Sequence, residues 1–346
     1  ADAMEPVYRA HSDNVDVAAL YGLAQLSTAP RGEPTFARQS SVGDLLDSLH
    51  KSAPTHPGVI HYAIHAYDNP PLADRGLPYA SVYADIAPEV PHALHMPSHI
   101  FVRLGLWEEN NTWNARSAAA ARLQPNNGVI SGHFSHAMDY QIYGHLQLGD
   151  FANAENLLAD FLSVQNLQPN FGSAYALSAS PVRVLLEQEK WDEAAEMPIE
   201  LHGAIPWDKF PQCMSMVWFG KGIGAVRSGN LDGASEALEE LSEIRNKLVD
   251  AKLGYWAQLT EAQMLSVEAW REYAIGNAEL AVQLQTRAAD IEDKVGKSPV
   301  TPGHVLPARE LLGDLLRDMG DENAARAAYE KSLAHSKNRR RSMVPG

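Results

Sequence analysis

Residues 308–338 read ARELLGDLLRDMGDENAARAAYEKSLAHSKN. Small and large residues alternate along two helical stretches that meet at Met319-Gly320-Asp321, and Tyr329 sits near the end of the second. The same turn recurs upstream: LGLWEE at 104–109, LGDFANA at 148–154, EKWDEAA at 189–195, SGNLDGA at 228–234 and IGNAELA at 275–281. In each, an amphipathic helix ends on a small or polar residue, and in all but LGLWEE the next helix opens with alanine close behind. Glycine just past a helix end accepts the left-handed conformation, and alanine lets the paired helix approach closely. A turn every ~40 residues signals a helix-turn-helix solenoid. No alternating β-branched run argues for strands.

The closing segment resembles tetratricopeptide repeats, although the other units are longer and looser than the usual period of about 34 residues. The expectation is an all-α, TPR-like solenoid of roughly seven antiparallel helix pairs in a right-handed superhelix. It would form a single domain over 1–346, with histidine-rich central repeats at about 56–149 and a last TPR-like pair at about 304–336. Breaks are expected at Ala29–Pro34, Gln124–Gly132, Gln168–Gly172 and Lys297–Gly303. The last of these, KSPVTPG, reads as a linker before the final pair.

The 346 residues are 45% hydrophobic, ample for a large core, and carry a net charge of −15. That balance disfavours nucleic acid and anionic membrane as partners, since phosphate binding needs concentrated Lys and Arg. The one basic run, Lys337 with Arg339, Arg340 and Arg341, reads as a solvated tail. Cys213 is the only cysteine, which excludes an intrachain disulfide or a thiolate zinc knuckle. No apolar stretch reaches the roughly 20 residues of a membrane span, and no signal peptide is visible. The chain opens in ADAMEPVYRA, already helical in pattern, so removal of an upstream segment is expected. The compartment stays open between periplasmic or secreted and cytoplasmic.

Nine of fourteen histidines lie between His56 and His145. His61 and His65 are four apart, as are His95 and His99, while His133 and His136 are three apart. Such pairs project two imidazoles from one helix face, the way helices present two ligands to one metal. This region, HPGVIHYAIHAYDN at 56–69 followed by PHALHMPSHIFVRLGLW at 91–107, closely resembles a group of bacterial TPR-repeat proteins. HAMDYQIYGHLQLGD at 136–150 and PARELLGDLL at 307–316 share the likeness, so it covers most of the chain. It implies a helical-repeat fold and a further N-terminal helical portion. No activity comes with it.

His56-Pro57-Gly58 suits a helix start, after which His61, His65 and Asp68 share one side. Pro97 either kinks a helix carrying His95 and His99 or marks its true first turn. His133, His136 and Asp139 form a third set. First helices of successive solenoid units lie side by side, so His61, His65, His95, His99, His133 and His136 are expected to converge as metal ligands on the concave face. An all-imidazole set favours copper or zinc, with iron possible, over magnesium or calcium. Two histidine triplets could hold a copper pair. The competing reading is a buried polar network locking neighbouring repeats.

Asp68 and Asp139 are expected to orient a ligand or to act as bases, with helix capping as the structural alternative for Asp68. Arg103, Tyr62 and Tyr140 are candidate substrate contacts, or else Tyr62 and Tyr140 fill repeat interfaces as Tyr67 and Tyr143 would. His92 reads as a supporting or helix-start residue, His145 as structural, and His202 and His304 as unrelated, His304 being the likelier exception. PWDKFPQCMSMVWFGKG at 206–222 is core or an apolar pocket wall. GKGIG at 220–224 lacks the P-loop ending, and GxSxG and HExxH are absent. The function expected is a metal-dependent hydrolase or oxidoreductase acting on a small substrate. The alternatives are a peptide-binding scaffold or a metal storage or delivery protein.

Overall fold

The computed structural model describes residues 1–30 and 35–343, so residues 31–34 of the expected Ala29–Pro34 turn lie outside the described residues. A short α1 (Met4–Ala10) precedes a series of helix pairs. These are α2 (Val15–Leu26) with α3 (Ala37–Ser52), α4 (Pro57–Tyr67) with α5 (Ala73–Ile86), and the broken α6 (Pro91–His95) and α7 (Ser98–Leu104) with α8 (Trp107–Leu123). There follow α9 (Gly132–Gln147) with α10 (Phe151–Ser163), α11 (Phe171–Glu187) with α12 (Trp191–Glu196), and α13 (Pro211–Arg227) with α14 (Leu231–Asp250). The array closes with α15 (Gly254–Ala274) and α16 (Ala278–Val295), α17 (Ala308–Asp318) and α18 (Glu322–His335), and a one-turn α19 (Arg340–Met343). The molecule is an all-α, TPR-like helical-repeat array of eight pairs among the described residues, one more than the sequence period suggests.

The recurring turns work as their composition dictates. Gly105, Gly149, Gly229, Gly276 and Gly320 all have positive φ, and in EKWDEAA Glu189 takes the left-handed place at φ 58°. Gly105 is doubly constrained, since a Cβ there would also strike the carbonyl of Lys337. Asp150, Asn170, Asn230 and Asp321 cap the helices that follow by accepting a backbone N–H.

First helices pack on first helices: α9 on α11, α11 on α13, α13 on α15. This inner layer is buried nearly all round, polar members such as Asp139, Ser180 and Arg183 included. The 206–222 stretch joins it from Pro211 onward, with Cys213, Met216, Val217, Trp218 and Phe219 buried in the core.

Lys297–Gly303 joins α16 to the final pair, as expected of a linker. Its end, Thr301 to Gly303, is buried: Thr301 accepts from the buried Arg183, and the Tyr140 hydroxyl donates to the Thr301 carbonyl at 3.0 Å. The basic run departs from expectation and is no solvated tail. Arg339 is wholly buried against Glu187, Glu310 (2.8 Å) and the Tyr143 hydroxyl (2.9 Å). Arg341 pairs with Asp314 at 2.7 Å and Glu189 at 2.8 Å. Acids at the end of α11 and on α17 supply the counter-charge that lets these arginines be buried.

Candidate metal centre

The helix carrying His95 stops at Met96, and Pro97 stands at the head of the next. Both residues keep right-handed helical angles, so the axis breaks without turning away. His95 and His99 therefore still meet, Nε2 to Nε2, at 3.2 Å. Both are buried, at 1% and 3% exposure.

The second nitrogen of each ring is committed. Asp68 Oδ2 lies 3.1 Å from His99 Nδ1. Burial alone would raise Asp68, but Lys297 and Arg103 hold it well below the usual carboxylate range, so it is ionised and can only accept. His95 Nδ1 faces Asn114 Oδ1 at 2.7 Å. The amide is oriented by its NH2 group, which donates to the Asn110 carbonyl and to Ser98 Oγ, both at 2.7 Å. Nδ1 is thus the N–H in both rings, and both Nε2 atoms carry lone pairs. His136, one helix over on α9, completes a triad whose ligand atoms all lie within 4.8 Å of one another. Beneath them Tyr140 packs edge-on against His95 (4.6 Å between centroids) and His136 (4.9 Å).

His61, His65 and His92 form a second group. His61 Nε2 is 3.1 Å from His65 Nε2 and 3.2 Å from His92 Nε2. His133 stands beside His92, ring centroids 5.1 Å apart, at a more exposed position. Burial, with neighbouring histidines adding to it, lowers His61 and His99 to about 3 and His92 to about 4. Burial likewise carries His95 and His136 well below the normal imidazole value and lowers His65 and His133. All seven rings are neutral near pH 7, the state in which imidazole binds metal. A cavity of about 370 Å³ opens beside both groups, lined by His65, His92, His99, His133 and His136 together with Pro299 and Val300 of the α16–α17 connection.

The remaining candidates fall in other places. Asp68 closes α4 and holds His99, and its other contacts, Arg103 Nε at 2.8 Å and Lys297 Nζ at 3.1 Å, leave it saturated rather than free to act as a base. Arg103 is spent on that carboxylate and on the Asp68 carbonyl, not turned to a substrate. Asp139 is fully buried against Arg183 and Ser180 (3.0 Å) and bonds to no histidine. The Tyr140 hydroxyl is bound to the Thr301 carbonyl, so its ring supports the histidines while its oxygen faces no substrate. Tyr62 stacks on His61 at 5.5 Å. His145 bonds to Asp150, and His202 to the Val164 carbonyl, as structural histidines do. His304 lies by Glu292 at 3.6 Å, outside both groups.

Sequence reasoning missed His92 as a member, Asn114 and Lys297. The three-residue spacing of His92 to His95 was a usable signal. Asn114 and Lys297 gave none.

No family model matches the chain, and no curated protein matches it. Among solved structures it is similar to the human IFIT1 dimer with PPP-AAAA, at 13% identity and a TM-score of 0.41, over 96% of this chain and 76% of that one. The human IFIT1 dimer with m7Gppp-AAAA gives 12% identity and a TM-score of 0.36 over the same shares. The fold stated above rests on the helix packing itself. No helix among the described residues is long and apolar enough to cross a membrane.

Proposed function

We propose that this chain is a metal-binding helical-repeat protein in which His95, His99 and His136 hold a transition-metal ion that serves a small-substrate enzyme. One observation carries the reading: two Nε2 lone pairs face each other at 3.2 Å, with both Nδ1 atoms engaged elsewhere. Lone pairs at that separation repel unless a cation lies between them. The separation is also close to the ~3.3 Å between neighbouring ligands of a tetrahedral ion with bonds of about 2.0–2.1 Å.

Three imidazoles and no carboxylate favour copper or zinc, with iron possible, over magnesium or calcium. Three protein ligands leave a coordination position open, as catalytic sites do. That position would face the cavity, whose volume of about 370 Å³ suits a small molecule. Zinc there would direct hydrolysis, copper or iron oxidation. Asp68 and Asn114 would hold the ligand rings in orientation and strengthen them as donors. The burial of His95 and His99 speaks against storage or delivery, which needs exchangeable ligands. A cavity of that size, walled on one side by Pro299 and Val300, speaks against an extended peptide lying there.

Elemental analysis of the purified chain tests the reading. Tightly held copper, zinc or iron is expected, lost in His95→Ala and His136→Ala with helical content retained. No metal as isolated and none taken up on titration would sink it.

A further inference from the structure

The two loops that lead into α9 and α11 are tied together before either helix begins. The Ile130 N–H donates to the Asn166 carbonyl and the Gln168 N–H to the Ile130 carbonyl, both at 2.9 Å. Asn166 Nδ2 donates to the Gly128 carbonyl at 2.6 Å. This short parallel bridge, Ile130 against Leu167, fixes Gln168 and Asn170 beside Gly132. All three residues line the histidine cavity.

Each amide has its oxygen engaged. Gln168 Oε1 accepts from the Gly132 N–H at 3.0 Å, and Asn170 Oδ1 accepts from the Ser173 N–H at 2.9 Å. Only the oxygen of an amide can receive an N–H, so neither group can flip. Their NH2 ends are left over. Among the described residues neither Gln168 Nε2 nor Asn170 Nδ2 has a hydrogen-bond partner. Gly132 makes room for the second of them, since a Cβ there would stand 2.5 Å from Asn170 Nδ2.

Charge is missing from this wall. No Asp, Glu, Lys or Arg is among the described residues that line the cavity. Lys297 and Arg103 are both spent on Asp68. Fixed neutral donors receive a carbonyl oxygen at little desolvation cost, and that oxygen has two lone pairs, one for each NH2. A carboxylate would leave water for neutral partners alone, and an ammonium would meet donors where it needs acceptors.

We propose that Gln168 and Asn170 are specificity-determining residues, whose NH2 groups hold an uncharged carbonyl end of the substrate. The inference rests on the reading of His95, His99 and His136 as the metal site. It narrows the substrate class to small molecules with two oxygen functions. One reaches the ion, and the other is a carbonyl, as of an amide or ester, held at the cavity wall.

The test uses four hydroxamates of equal chain length as probes. Each grips a metal ion through the same hydroxamate group and ends in a methyl, a carboxamide, a carboxylate or an ammonium. Isothermal titration calorimetry on the zinc-loaded chain gives the four Kd values. The carboxamide should bind about tenfold tighter than the methyl probe, the worth of one or two hydrogen bonds to unpartnered donors. The carboxylate and the ammonium should bind more weakly than the carboxamide. Gln168→Glu and Asn170→Asp each keep the oxygen that accepts a backbone N–H and exchange the NH2 for a charged acceptor. In both, the carboxamide should lose its advantage and the ammonium should gain, with the methyl probe unchanged. Equal binding of methyl and carboxamide, or an advantage that survives both variants, overturns the inference and leaves the metal reading standing. A carboxylate that binds tightest overturns the uncharged end. A chain that keeps no zinc, or binds none of the four, overturns the metal reading and the inference with it. Should a variant fail to fold, the natural chain's own ranking of the four probes decides.

Discussion

Asn114 Oδ1 accepts from His95 Nδ1 at 2.7 Å, and this contact selects which nitrogen of His95 stays free. The Asn114 amide cannot flip, because its NH2 group is needed by the Asn110 carbonyl at 2.7 Å. An uncharged side chain 19 residues away thus fixes a tautomer.

Replacing Asn114 with Leu keeps the volume and removes the acceptor. The His95 ring is then free to carry its hydrogen on Nε2, where it blocks metal. Loss of such a supporting partner typically weakens metal binding ~10–100-fold. Chelator competition should show that loss with helical content unchanged, and an unaltered affinity would remove Asn114 from the site.

Asp68 joins the site to a residue 229 positions later, with Lys297 Nζ 3.1 Å from Oδ1. The Asp68→Asn variant keeps shape but leaves the buried Lys297 and Arg103 without their counter-charge. Breaking a buried pair costs about 3–5 kcal/mol. His99 also loses the anion that fixes its Nδ1–H. A lower urea midpoint and weaker zinc binding are expected together. Lower stability with unchanged zinc affinity would confine Asp68 to a structural role.

How much of this could be read from the chain depended on sequence distance. The turns were legible because each is a local event, with glycine or Glu189 in a left-handed position. The histidine pairs were legible because helical spacing is local too. Charges neutralised from afar were not. Arg339 and Arg341 form a like-charge run with Arg340, and nothing near them announces Glu187, Glu310 or Asp314. Asp139 lies three residues from His136 yet faces Arg183, because α9 is buried on several sides and presents each to a different neighbour. The Pro97 ambiguity was settled by backbone angles that sequence does not specify.

Acid should destabilise the metal-free chain. Unfolded histidines take up protons near pH 6.5. In the folded chain burial lowers His61, His99 and His304 to about 3 and His92 to about 4. Between these values the unfolded state binds more protons, so stability present above pH 6.5 is lost as pH falls toward 4. Burial acts in the opposite sense on Asp139, raised to about 6, on Glu292, raised to about 8, and on Glu310. The histidines shifted down outnumber these three. Thermal melts of chelator-treated protein should therefore show a lower Tm at pH 5 than at pH 7.5. Bound zinc should raise Tm at pH 7.5 and lose that effect in acid, as protons compete for the rings. A Tm that holds or rises on acidification would mean that the cluster is not buried in neutral form.

The C-terminal basic run offers a test within three adjacent residues. Arg339 is wholly buried between Glu187 and Glu310, whereas the Arg340 guanidinium lies over the Phe151 ring at 4.9 Å on a half-buried surface. Removing Arg339 leaves two buried carboxylates without a cation, at a cost of ~3–5 kcal/mol. Removing Arg340 forfeits one partly exposed cation–π contact, worth about 0.5–1 kcal/mol. Arg339→Met should accordingly lower the urea midpoint several times more than Arg340→Met, although the two changes are identical in charge. Because the segment also reaches the central repeats, through the Trp107 Nε1–H bonded to the Asn338 carbonyl at 2.9 Å, the Arg339 variant should also raise amide exchange near Gly105. A solvated tail would make the two variants equal, within ~0.5 kcal/mol of the natural chain. Equal midpoints would therefore mean that this segment does not hold the last repeats to the central ones.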